Sequence, residues 1–215
     1  LTVLGVVIGV AAIVVVFAAG DAVRNLVTEE ISSYGTDIIE TEIKLPKKRT
    51  ASALAQITTL KVEDMEAVNK LANIKRGYGA ILGQQKVSWQ GQSERSLLFG
   101  VSASYAEIDQ KIQPIEGRFF TAEEDKNQAM VAVIGYGLKE ELFGDQSPLG
   151  EWIKIGNNKF QVIGIMEEQG RGGDSKIDID KSVYMPLKTL QKRILGVDYI
   201  LYMVHQLKDP SKAED

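Results

Sequence analysis

The sequence predicts an α+β protein: a folded part of strands and short helices carried on an N-terminal membrane helix that continues as a stalk. Three observations predict this. Residues Leu1 to Ala19 carry no charge, and Thr2 is their only polar side chain. As a helix they span roughly 28 Å, close to the ~30 Å hydrocarbon thickness of a bilayer. Beyond them, short apolar runs bounded by Gly, Pro and Asn mark strands and hairpins, while apolar residues at three- and four-residue spacing mark helices.

The membrane helix runs on past Gly20. Ala22, Val23, Leu26, Val27 and Ile31 recur at helical spacing among Asp21, Arg24, Asn25, Glu29 and Glu30, and Gly35 suits the left-handed cap that ends such a helix. Ile38 to Leu45 follows as a strand, closed by Pro46-Lys47-Lys48-Arg49, and a small polar connection covers 51–59. Val62, Met65, Val68, Leu71 and Ala72 form a helical stripe, with Glu63, Asp64 and Glu66 early in the helix where its dipole favours them. Tyr78 to Trp89 and Ser96 to Val101 are strands joined at Gln90-Gly91-Gln92.

From residue 102 the pattern becomes richer in strands. Ser104 to Asp109 is a turn of helix, and Ile115 to Phe120 bends into Glu123-Glu124-Asp125, a solvated acidic turn. Ala129 to Ile134 is a buried strand and Leu138 to Phe143 a helix. Trp152 to Ile155 and Phe160 to Met166 form a hairpin around Gly156-Asn157-Asn158-Lys159. Gln169 to Ser175 is a loop, Ser182 to Met185 a strand, and Pro186 opens a helix at the position where proline fits best. Tyr199 to Val204 is the last strand, and Asp209-Pro210-Ser211 starts another helix. The resulting divisions are 1–34, 35–101, 102–181 and 182–215. We expect the chain to be an excerpt at both ends, since it opens on Leu1 inside the apolar run and stops within a helix start. A cleaved secretory signal is the alternative; the run exceeds the usual ~7–15-residue apolar core of a signal and has no basic segment before it.

The formal net charge of −4 gives no basic footprint for nucleic acid, and the absence of cysteine excludes disulfides and thiolate metal sites. A single histidine, His205, leaves no material for a Ser-His-Asp triad or a His-rich metal site, and we expect it at a surface or strand edge. Asp174, Asp178 and Asp180 lack the glycine and terminal glutamate of a calcium loop. No catalytic, cofactor-binding or metal-ligating residue is therefore expected. Trp89 and Trp152 are expected in the core or half-buried on strands. Gly5 and Gly9, with Ala12 on the same face, let a second helix backbone approach closely, whether from the same polypeptide or from a second copy. Gly170 to Gly173 is no phosphate loop, because neither GK[ST] nor a helix follows. Arg171, Gly172, Gly173 and Asp174 are either a plain surface loop or a partner contact.

Several segments together resemble one family. The run Leu1-Thr2-Val3-Leu4-Gly5-Val6-Val7-Ile8-Gly9-Val10 resembles the first membrane helix of MacB-type ABC transporter permeases, the group with FtsX-like permease domains. In the same order come Ile115-Glu116-Gly117-Arg118-Phe119-Phe120, Val131-Ala132-Val133-Ile134-Gly135 and Glu141-Leu142-Phe143-Gly144. Ser147-Pro148-Leu149-Gly150, Phe160-Gln161-Val162-Ile163-Gly164-Ile165 and Val183-Tyr184-Met185-Pro186 complete the series. The resemblance implies the periplasmic core domain set between the first and second membrane helices. It also implies a porter-like α/β lobe (35–101, resuming at 182–215) with a mostly β lobe (102–181) inserted. It places the protein in the bacterial cytoplasmic membrane with its main domain outside. It implies coupling of cytoplasmic ATP hydrolysis to efflux, export or mechanical signalling. ATP and Mg would be bound by a separate nucleotide-binding domain, so this chain would hold no cofactor and would not itself be an enzyme. The implied partners are membrane lipid, the ABC ATPase, a second permease copy as homodimer or pseudo-dimer, and a periplasmic adaptor. A membrane-anchored sensor or interaction domain without transport, and an anchored enzyme, are the rival readings.

Overall fold

Alternating apolar residues and tight turns place strands across most of the folded part. The computed structural model describes residues 37–43, 59–109, 112–168 and 178–212. The predicted membrane helix and stalk, with Gly5, Gly9 and Ala12, and the loop Arg171 to Asp174 lie outside the described residues. Among the described residues no helix is long and apolar enough to cross a membrane.

In chain order the elements are β1 (Ile38–Glu42), α1 (Val62–Val68), β2 (Ile74–Trp89), β3 (Gln92–Val101), α2 (Tyr105–Ile108) and β4 (Pro114–Gly117). Then come α3 (Ala122–Lys126), β5 (Val131–Ile134), α4 (Tyr136–Phe143), β6 (Trp152–Ile155), β7 (Asn158–Met166) and β8 (Val183–Pro186). The last are α5 (Leu187–Thr189), which continues as a π-helical stretch Leu190–Leu195, and β9 (Tyr202–Leu207). The sheet order is β1-β9-β2-β3-β8-β5-β7-β4, and β6 pairs with both β2 and β7. β3–β8 and β5–β7 are parallel. Strands from the predicted insertion meet those flanking it at β5–β8 (Val133 opposite Tyr184) and at β6–β2 (Ser88 opposite Lys154).

One sheet face is the main core. Ile81, Leu98, Ile134, Phe160 and Met185 lie at most 1% exposed on it, covered by Leu138 of α4 and Leu190 after α5. The opposite face carries Tyr78, Phe99 and Tyr184, with Phe99 and Tyr184 directly paired and stacked at 5.0 Å. β1 runs back along β9, because the Ile43 amide donates to the Leu201 carbonyl (3.1 Å) where β9 begins.

Two expectations are corrected here. Trp89 is buried, but Trp152 is 54% exposed, because strand alternation turns Ile153 and Ile155 inward and Trp152 outward. His205 is not at a surface: β9 starts and ends three residues later than expected, lies between β1 and β2, and leaves His205 1% exposed. It sits opposite Gly77, where a Cβ would come within 2.3 Å of the imidazole, so only glycine admits the ring. The imidazole hydrogen-bonds the Met65 backbone, while Nε2 and the neighbouring Asn69 Oδ1 are buried without a partner among the described residues.

Burial holds the His205 pKa below its ordinary 6.5. The unfolded chain takes up a proton near 6.5 while the folded chain resists it. The stabilisation is therefore complete above that pH and declines as pH falls below it. We expect the urea midpoint to drop between pH 7 and 5, with a slope from this group of at most ~1.4 kcal/mol per pH unit. A His205→Gln chain should lose that portion of the slope; an unchanged slope would show that another group titrates.

Candidate functional site

A cleft of about 570 Å³ is walled by elements distant in sequence. Met65 and Glu66 of α1 stand on one side, Ser102 and Glu107 around α2 at its back, and Phe119 and Asp125 across from them.

A local motif builds the far wall. Thr121 caps α3: the Glu124 amide donates to Thr121 Oγ1 (3.2 Å) and the Thr121 amide donates to Glu124 Oε2 (2.8 Å). The Arg118 guanidinium then grips both Glu124 oxygens, each at 2.7 Å. Arg118 first, and the Thr121 amide after it, hold the Glu124 carboxyl at about 2. Tying β4's exit to α3 turns the intervening ring of Phe120 inward (3% exposed) and stacks Phe119 on it at 4.2 Å. The expectation of a solvated turn at Glu123-Glu124-Asp125 is thus corrected. These residues form the first turn of a helix, Glu124 is gripped by Arg118, and Asp125 accepts the Lys188 amide at 3.3 Å. Burial raises the Asp125 pKa, and the backbone N–H groups of Lys188 and Leu187 partly offset it. The signal that could have found this was present: Thr121-x-x-Glu124 has the spacing of a capping box.

Tyr105, between the lining residues Ser104 and Ala106, belongs with Tyr78 and Tyr184 to a buried aromatic cluster outside the cleft lining. Tyr105 lies edge-on to Tyr78 at 4.8 Å and stacks toward Tyr184 at 6.0 Å. Burial pushes all three hydroxyls above the usual tyrosine range. Ser102 Oγ accepts the Gly79 amide (3.2 Å) and Ser104 Oγ donates to the Gly77 carbonyl (2.8 Å), so both hydroxyls are engaged with backbone. Glu107 pairs with Arg76. His205 lies behind Gly77 and is not among the lining residues. Among the described residues no group of three His, Cys, Asp or Glu is placed to hold a metal ion. The arrangement offers recognition by aromatic edges and carboxylates. The expected site residues Gly5, Gly9, Ala12 and Arg171 to Asp174 fall outside the described residues.

Comparison with known proteins points one way. The family model described as MacB-like periplasmic core domain matches residues 1–215. The macrolide export ATP-binding/permease protein MacB of Wolinella succinogenes is 33% identical over 215 residues, covering 99% of this chain and 32% of that protein. The pyoverdine export ATP-binding/permease protein PvdT of Pseudomonas syringae pv. syringae is 32% identical over 219 residues, covering 100% of this chain and 32% of its own length. The chain thus spans about a third of the length of the curated relatives it matches. Among solved structures, the periplasmic region of MacB from Actinobacillus actinomycetemcomitans shares the fold, with a TM-score of 0.70 at 20% identity over 84% of this chain and 79% of that one. The extracellular domain of the transporter YknZ from Gram-positive bacteria follows at 0.66 and 18%, over 82% and 87%.

Proposed function

The chain belongs to the MacB-like periplasmic core domain family, and we propose that it is the extracytoplasmic part of an export permease, relaying cytoplasmic ATP turnover to movement outside the membrane. The observation that carries this reading is the family match across the whole chain, supported by a fold like that of the MacB periplasmic region. In this reading ATP and Mg are bound by a nucleotide-binding domain elsewhere in the assembly, and the chain has no catalytic role of its own. A second helix backbone, from the same polypeptide or from a second permease copy, packs against Gly5, Gly9 and Ala12. An adaptor outside the membrane contacts Arg171, Gly172, Gly173 and Asp174.

The relay is tested by a proline at Val23 or Leu26 in the intact transporter. A proline inside a helix costs about 3 kcal/mol and breaks its rigidity. ATP hydrolysis should persist while export falls at least tenfold. Export preserved in a correctly assembled proline variant would rule the relay out.

A further inference from the structure

The hairpin β2–β3 and the hairpin β6–β7 bring four cations from separate parts of the sequence onto one sheet face. Lys86 is opposite Arg95, and Lys154 is opposite Lys159. Ser88, two residues along β2 from Lys86, pairs with Lys154 across the β2–β6 junction. Directly paired residues share a face, as do residues two apart on a strand, so all four side chains point the same way. All four are exposed. None of the four takes part in an ion pair among the described residues, whereas Lys61, Arg76, Arg118, Lys139, Lys181 and Lys212 all do. Register places no carboxylate among them: their same-face neighbours along these strands are Gln84, Ser88, Ser93, Leu97, Trp152 and Gln161. Lys86, Lys154, Lys159 and Trp152 line one shallow hollow of about 420 Å³. On a chain with net charge −4 this is a concentrated positive surface.

We propose that this face docks an extended acidic segment of a partner protein, with carboxylates on alternate residues and an apolar residue beside them. The spacing favours it. The cation rows are separated by two-residue strand steps of about 6.8 Å, the repeat of same-side residues in an extended peptide. Alternate carboxylates therefore meet successive rows. Trp152, one further two-residue step from Lys154 along β6 and 54% exposed, supplies the anchor that a charged rim lacks. A membrane surface fits less well. Trp152 has Gln161 opposite it and Lys154 two residues along its strand, so its immediate neighbours are polar. The inference concerns what this face binds and does not depend on the relay.

The test uses the full chain in detergent and follows tryptophan fluorescence. The probes are a ten-residue peptide of alternating Glu and Thr ending in Leu, its block isomer with all Glu first, and phosphatidylglycerol vesicles. We expect the alternating peptide to bind, to weaken as salt rises, and to lose at least tenfold in affinity in Lys86→Glu/Lys154→Glu. Lys75→Glu, at the far end of β2, should bind as the parent does. Should the double reversal impair folding, Lys86→Gln/Lys154→Gln should still weaken binding severalfold. Equal binding of the block isomer, equal binding by the double variant, or a loss on charge reversal seen only with vesicles would each overturn the proposal.

Discussion

Phe160→Ala should lower the unfolding free energy by about 3–5 kcal/mol, the range for deleting a buried aromatic ring. Phe160 is fully buried, faces Ile153 across the β6–β7 hairpin, and belongs to the same core as Trp89, Ile134 and Leu138. A domain of this size is stable by roughly 5–15 kcal/mol, so the loss is a large fraction of the total. Denaturant unfolding followed by circular dichroism measures it. Phe160→Leu, which keeps most of the volume, should cost about 1.5 kcal/mol or less. Trp152→Ala, on the opposite face of the same hairpin, should stay within ~0.5 kcal/mol. A Trp152 variant as damaging as Phe160→Ala would mean that the strand's faces have been assigned the wrong way round.

Gly164→Val should cost about 3 kcal/mol, at the upper end for forcing atoms into a packed site. A Cβ at Gly164 would lie 2.5 Å from the Arg118 carbonyl oxygen and 3.3 Å from two further backbone atoms of that residue. No rotamer relieves a clash with backbone. The facing residue, Gly117, is equally constrained: its φ is +77° and a Cβ there would meet the Ile163 carbonyl at 2.3 Å. β4 therefore lies against β7 through paired glycines, and a side chain between them must push β4 outward. Arg118 would move with it, and with Arg118 the wall that carries Phe119 and Phe120. Faster hydrogen exchange at the Arg118 amide, now bonded to the Ile163 carbonyl at 2.9 Å, should accompany the stability loss. Parent-like exchange and stability would show that the two strands need no such approach.

Much of this molecule was legible because the relevant forces are local. Gly156-Asn157 between alternating runs specifies the β6–β7 hairpin, Gln90-Gly91 the β2–β3 hairpin, and Pro186 the start of α5. The stripe Val62, Met65 and Val68 gives α1 with Met65 inward, although Leu71, read as part of that stripe, is 58% exposed beyond the helix end. The order of short segments along the chain was enough to indicate the family. The cleft was only partly legible: Thr121 and Glu124 carry their own capping signal, but nothing local announces that Arg118 grips Glu124 or that Lys188 reaches Asp125.

What lay beyond the sequence shares one physical cause, the pairing of strands far apart in the chain. An apolar run specifies that a strand forms, because burial and backbone alternation act over a few residues. It does not specify the neighbour, since every strand edge offers the same donors and acceptors. Only the assembled sheet sets β9 between β1 and β2, and so encloses His205 against Gly77. Only the β2–β6 junction sets Lys86 and Arg95 beside Lys154 and Lys159.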